Sequence, residues 1–185
     1  MIEPLNIEFY NLNDEIWMRS ADGQCERITE EKTEIVAFVC EKIQDFYPKA
    51  YQALEEYYSK SKVNVNWHRF LIVKRFIRCN FGIIDDVKDI DISGSFKIEC
   101  VPCPLRGECR LEGIVCRPEF NHNLSTAELR VMKLWYQGDT KESIAEKLYL
   151  SVHTVNNHIR NAYYRLGMHT KAEFVRYAES NNLFS

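Results

Sequence analysis

Apolar residues recur at helical spacing over most of the chain, with shorter alternating runs near its start. Beyond residue 124 the helical pattern breaks into short amphipathic stretches. Val131, Met132 and Trp135 share one face, then Ile144, Ala145 and Leu148, then Val155, Ile159 and Leu166. The polar residues between them supply starts and stops. Ser125-Thr126-Ala127-Glu128 and Thr170-Lys171-Ala172-Glu173 have the capping-box order, a hydroxyl followed three residues later by a carboxylate. Thr140 and Ser151 suit the caps of two helices between these. Gly138 and Gly167 stand where helices should stop. The pattern predicts four helices, over 125–137, 141–149, 152–166 and 170–181. Two or three residues separate the second from the third. Two short amphipathic helices joined by so tight a turn form a helix-turn-helix, whose second helix enters the major groove of DNA.

The first half reads as a mixture. From Leu5 to about Ile28 the pattern predicts short strands, with Glu15–Arg19 and Gln24–Ile28 flanking a hairpin turn at Ala21-Asp22-Gly23. Thr29 is expected to cap a helix running to about Tyr47, with Ile35, Val36, Val39, Ile43 and Phe46 on one face. Pro48 interrupts it, and a second helix is expected from Lys49 to Ser59. A third, from about Trp67 to Asn80, carries Phe70, Leu71, Val73 and Ile77 interleaved with Lys74, Arg75 and Arg78; its basic face reads as solvated. Residues 83–99 suggest two short strands, at Asp91-Ile92 and Phe96-Lys97-Ile98, around a Ser93-Gly94-Ser95 turn. The helical spacing of Tyr47, Tyr51, Tyr57 and Tyr58 points to packing.

The residues from Leu124 to Ala178 resemble the LuxR/FixJ-type helix-turn-helix family. The match rests on Leu124-Ser125 with Glu128, the Gly138 break, Ile144-Ala145 with Leu148, Ser151, Thr154-Val155 with His158, and Leu166-Gly167. The resemblance implies that the third helix of this unit reads bases through Asn156, Asn157 and Arg160. Family members usually carry Lys where Asn156 stands. Asn pairs best with adenine, so an operator unlike the common family site is expected. Thr154, His153, Lys141 and Lys171, near helix starts, complete the expected DNA-contacting set. His158 reads as a packing or phosphate-contacting residue.

Charge is divided unevenly. Residues 124–185 hold eight Lys/Arg against six Asp/Glu, a net of +2; the remainder holds sixteen against twenty-one, a net of −5. A reader with so small an excess binds DNA weakly as a monomer, so a homodimer is expected. No apolar run approaches the roughly 20 residues of a membrane span, and no secretory signal is visible at the start, so a cytoplasmic protein is expected. Seven cysteines in that setting read as thiols or metal ligands rather than disulfides.

Four of them, Cys100, Cys103, Cys109 and Cys116, fall within 17 residues as C-x2-C-x5-C-x6-C. Pro102, Pro104, Gly107, Gly113 and Pro118 make the segment a turn-rich loop, and a tetrahedral metal centre would supply the stability such a loop lacks. The run from Cys100 to Cys109 resembles the iron–sulfur motif of WhiB-like regulators and the cluster-loop spacing of endonuclease III-type glycosylases. The WhiB-like arrangement implies a ligand upstream, at Cys79; Cys116 is nearer. These four cysteines are therefore expected to bind either a [4Fe–4S] cluster or Zn2+, both of which accept four thiolates. Cys25, Cys40 and Cys79 read as buried apolar thiols.

The expected architecture is an α+β N-terminal domain (1–98) for sensing or dimerisation, a tetracysteine metal-binding linker (99–123), and an all-α four-helix LuxR-type helix-turn-helix domain (124–185). The expected function is sequence-specific binding of double-stranded DNA to regulate transcription. A co-regulator touching RNA polymerase through the four-helix unit, with the metal loop purely structural, is the alternative. No Ser/His/Asp or Cys/His arrangement, no phosphate-cradling glycine loop and no phosphorylatable receiver pattern is present, so no enzyme is expected.

Overall fold

The computed structural model describes residues 6–184 apart from 83, 86, 92, 93, 95 and 182. The chain divides into two compact units, Met1–Asn121 and His122–Ser185. The cysteine-rich segment belongs to the first.

In the first unit, β1 (Glu8–Leu12), β2 (Glu15–Arg19) and β3 (Cys25–Arg27) form an antiparallel sheet in the order β1-β2-β3. Both turns are set by residues that accept positive φ. Asn13 (φ 51°) and Asp14 (φ 67°) join β1 to β2, the conformation of a two-residue hairpin whose twist matches its strands. Gly23 (φ 83°) closes the expected turn between β2 and β3, its N–H donating to the Ser20 carbonyl at 2.9 Å. Ile16 and Met18 alternate inward along β2, and Tyr10 stacks on its cross-strand partner Trp17. β1 breaks the alternation: Glu8 and Phe9 are both buried. The Glu8 carboxylate is held by Arg19, by Lys88 at 3.1 Å and by the Asp85 N–H at 2.7 Å. Burial opposes its charge, but these partners outweigh burial and keep its pKa below the usual glutamate value.

Three helices pack beside the sheet. α1 (Thr33–Phe46) starts four residues later than the expected Thr29 cap. The Thr29 carbonyl instead accepts from the Lys32 N–H in a turn, at 3.1 Å, and no side chain caps α1. Pro48 is the first residue of α2 (Pro48–Tyr57), where a missing N–H costs nothing. A single 3-10 turn, Ser59–Ser61, follows. α3 (Val65–Asn80) begins before Trp67 because the Asn64 side chain accepts the Trp67 N–H at 3.1 Å. Where two strands were expected within 83–99, the described residues show isolated bridges, Ile90 with Ile7 and Ile90 with Phe96. Ile92, Ser93 and Ser95 lie outside the described residues.

The core is aromatic at its centre. Tyr47, between α1 and α2, has ring centroids 5.5 Å from Phe76 and 6.1 Å from Phe96, and Phe81 meets Phe9, Phe76 and Phe96. Such offset and edge contacts add about 0.5–1.5 kcal/mol each beyond burial. Phe120, late in the cysteine-rich segment, stacks on Phe46 at 5.6 Å, and the Asn121 N–H donates to the Phe46 carbonyl at 2.6 Å.

The second unit holds α4 (Thr126–Tyr136), α5 (Lys141–Leu148), α6 (Val152–Leu166) and α7 (Lys171–Ser180), each within two residues of its expected bounds. Its core is built from Leu124, Val131, Met132, Ile144, Ala145, Val155, Ile159, Ala162, Phe174 and Ala178.

Asp89 supplies a pH test of the first unit. It is buried, and its Oδ2 accepts the Phe9 N–H at 2.6 Å. Burial pushes its pKa up to about 8, against the opposing hydrogen bond from Phe9. A carboxyl whose folded pKa is raised binds its proton more tightly in the folded chain. Its contribution to stability is therefore full below roughly pH 4 and is lost as pH rises through about 8. Asp89→Asn keeps an oxygen for Phe9 and removes the charge. The melting temperature of the variant minus that of the wild type, followed by circular dichroism, should rise steadily between these pH values; parallel curves would assign the pH dependence elsewhere.

Candidate nucleic-acid interface

All four helix starts of the second unit are capped by the expected side chains. Ser125 and Thr170 form complete capping boxes with Glu128 and Glu173, and Thr140 and Ser151 accept the N–H groups of Ser143 and Thr154. Gly167 takes the left-handed conformation at the end of α6. The stop of α5 falls on Tyr149, which is left-handed (φ 56°) and 96% exposed. A bulky residue at positive φ leaves little trace in sequence, because glycine or asparagine usually occupies such positions. Three residues, Tyr149 to Ser151, thus turn the chain from α5 into α6, the helix-turn-helix connection.

α6 is strongly two-sided. Val155, Ile159 and Ala162 are buried, while His153, Asn156 and Arg160 are exposed and Asn157 is half-buried. With 3.6 residues per turn, positions 153, 156, 157 and 160 lie together opposite the buried stripe. Arg160 Nη2 donates to Asn157 Oδ1 at 3.2 Å, so two of the expected base readers already touch. Thr154 is engaged locally, its hydroxyl 2.8 Å from that of Ser151. It belongs to the cap more than to the outward face.

The two expected phosphate-contacting lysines converge on an indole. Lys171 Nζ sits 4.1 Å from the centroid of the Trp135 ring, and Lys141 Nζ 5.9 Å from it. Trp135 is fixed in turn by its Nε1–H, which donates to Tyr163 Oη at 2.9 Å. Sequence reasoning placed both lysines near helix starts but missed the shared aromatic platform, which joins residues from α4, α5, α6 and α7. Two other cations are spent internally. Lys147 bonds both oxygens of Asp139, at 2.6 and 2.8 Å, and holds that carboxyl below its usual range. Arg165 lies 3.5 Å from the buried Glu128. Burial opposes the Glu128 charge, but hydrogen bonds from Ser125 and the charges of Arg165 and His158 keep its pKa low.

In the first unit the cysteine-rich segment folds as a chain of tight turns. N–H groups of Arg106, Cys109, Glu112 and Val115 donate back to carbonyls three or four residues earlier, and the Gly113 N–H points at Cys116 Sγ at 3.4 Å. Leu111 and Val115 anchor it in the core. Cys100 and Cys103 are exposed, and Cys109 and Cys116 half-buried. Among the described residues, no group of three or more His, Cys, Asp or Glu side chains is gathered as a single metal ion requires. Of the three scattered thiols, Cys40 is buried and pushed up to about 11 by desolvation, Cys25 is exposed, and Cys79 is half-buried. Burial also raises the Cys79 pKa; Arg75 opposes that shift, while Cys116, Cys103 and Cys109 add to it. Arg75, expected on a solvated face, donates from Nη2 to Cys109 Sγ at 3.2 Å.

Comparison with known proteins agrees with the geometry of the second unit. Residues 122–178 match the family described as bacterial regulatory proteins, luxR family. The Fimbriae Z protein of Salmonella typhimurium (strain LT2) is 37% identical over 69 residues, covering 36% of this chain and 33% of that protein. The chain thus spans about a third of the length of this curated relative. No solved structure matches. No helix among the described residues is long and apolar enough to cross a membrane. The capped four-helix order, the three-residue turn and the family match coincide on the same residues: 122–178 form a luxR-family helix-turn-helix domain.

Proposed function

We propose that this protein is a sequence-specific DNA-binding transcription regulator that acts as a homodimer, and that its cysteine-rich segment, residues 99–123, binds one metal centre. The observation that carries the DNA reading is the outward face of α6. It presents Asn156, Asn157 and Arg160 on a helix whose opposite side is locked into the core. Asn matches the N6 and N7 edge of adenine and Arg the O6 and N7 edge of guanine, each good pair giving about 1–3 kcal/mol of discrimination. Lys141 and Lys171 lie at the starts of α5 and α7, where a phosphate meets both an ammonium and free helix N–H groups. The spacing and turn-rich composition of the cysteine segment support the metal reading.

Selection of binding sites from a random library tests the base readers. Asn157→Ala and Arg160→Ala should each relax preference at one or two base pairs while leaving non-specific affinity nearly unchanged. Unaltered preference in both would place the reading face elsewhere.

Lys171→Ala should behave differently. It removes one phosphate contact, so affinity should fall alike on all sequences, and the slope of log affinity against log salt should lose about one unit. A salt titration on specific and random duplexes distinguishes the two classes of variant.

A two-fold dimer places its recognition helices one DNA turn apart, roughly 34 Å, on an inverted repeat. Footprinting should show two protected half-sites at that spacing. Tight binding of a monomer to one unrepeated half-site would overturn the dimer, and binding to RNA polymerase without any operator would overturn the DNA reading.

A further inference from the structure

Trp135 gathers side chains from every other helix of the second unit. Its ring, on α4, lies 4.1 Å from Lys171 Nζ at the start of α7 and 5.9 Å from Lys141 Nζ at the start of α5. Its Nε1–H donates to Tyr163 Oη, on α6, at 2.9 Å. Tyr163 is held in turn against Phe174 of α7, their ring centroids 6.2 Å apart. Trp135, Tyr163 and both lysines are half-buried. One indole therefore fixes where two ammonium groups stand.

Two ammonium groups gathered on one ring repel each other, and the ring quadrupole offsets only part of that repulsion. Neither lysine forms an ion pair among the described residues. Asp139 feels the charge of Lys171, but both its oxygens are held by Lys147. The pair is short of an anion. The position of the ring says which anion it suits. Tyr163 stands seven residues beyond Asn156 on α6, two turns on, about 10 Å further along the helix axis and about 20° round from it. The platform thus flanks the face that carries Asn156 and Arg160 rather than joining it. What runs beside the base edges of a groove is the sugar–phosphate backbone, and contacts to it fix a protein's register on the duplex.

We infer that Trp135 is a positioning residue for DNA binding: it seats Lys141 and Lys171 around a single backbone phosphate, and its bond to Tyr163 ties that phosphate to the recognition helix. This assignment rests on the DNA reading of the second unit and deepens it in two respects. The lysines share one phosphate instead of taking one each. The register of α6 against the backbone passes through an uncharged pair, Trp135 and Tyr163.

Salt titrations of the full chain, on a random-sequence duplex and on the duplex recovered by site selection, provide the test. Lys141→Ala combined with Lys171→Ala should lower the slope of log affinity against log salt by about one unit, as much as Lys171→Ala alone. A loss near two units gives each lysine its own phosphate and overturns the shared site. Trp135→Leu should weaken binding to both duplexes several-fold while Lys171 is present, and hardly at all in a chain that already carries Lys171→Ala. A purely structural role would not show that coupling. Trp135→Phe keeps a ring face and should recover most of the affinity. Tyr163→Phe removes the acceptor of the indole N–H and should weaken binding in the same Lys171-dependent way. Far-UV circular dichroism identifies any variant that fails to fold; if Trp135→Leu does, Tyr163→Phe carries the same comparison. Equal losses with and without Lys171 overturn the positioning role and leave the DNA reading intact. A wild type that binds neither duplex overturns the DNA reading and the inference with it.

Discussion

The side chain of Asn80 is the pin of the first unit. It is fully buried at the last residue of α3, and its amide donates at 2.9 Å both to Phe76 in its own helix and to Val115 in the cysteine-rich segment. Its backbone carbonyl takes the Glu99 N–H. A buried amide this heavily engaged tolerates little displacement, because each lost bond leaves a desolvated polar atom costing about 1–3 kcal/mol. The thiols, the Arg75 contact and the seat of Leu111 and Val115 in the core all follow from where this residue holds the segment. Without it, seventeen residues of turns from Cys100 to Cys116 would have few apolar groups to fix them.

The second unit depends on a different kind of constraint, the closure of helix ends. Four hydroxyl caps and two left-handed stops leave the helices almost no freedom in length. Each cap is worth on the order of 1 kcal/mol. The register of α6, and therefore which side chains face outward, is set by Ser151 at one end and Gly167 at the other.

That difference explains what was legible in the sequence. Caps are local: Ser125 signals to Glu128 three residues away, so α4 to α7 could be bounded from the chain itself. The outward placement of Asn156, Asn157 and Arg160 follows from the same periodicity. The hairpin at Gly23 was equally local, whereas the Asn13-Asp14 turn lacked the glycine that usually marks one. α1 was misplaced at its start because Thr29 is chemically able to cap but sits in a turn that ends before the helix begins. The pairings of Arg75 with Cys109, of Trp135 with Lys171, and of Glu8 with Lys88 were invisible. Their partners are separated by 34, 36 and 80 residues, and no periodic pattern couples positions so far apart. The basic residues of α3 read as a solvated face for this reason; nothing near Arg75 announces the sulfur that it meets.

The stack of Lys171 on Trp135 has an entropic consequence. A lysine free in solvent samples many rotamers, and fixing it against an anion forfeits up to about 2 kcal/mol of that freedom. Here the indole face already narrows the ensemble, at a cation–ring distance of 4.1 Å, and Tyr163 keeps the indole from turning away. Much of the ordering is completed when the chain folds. An anion arriving at the start of α7 therefore meets a charge that is nearly stationary, and less disorder remains to be lost on contact than with a lysine on an open helix.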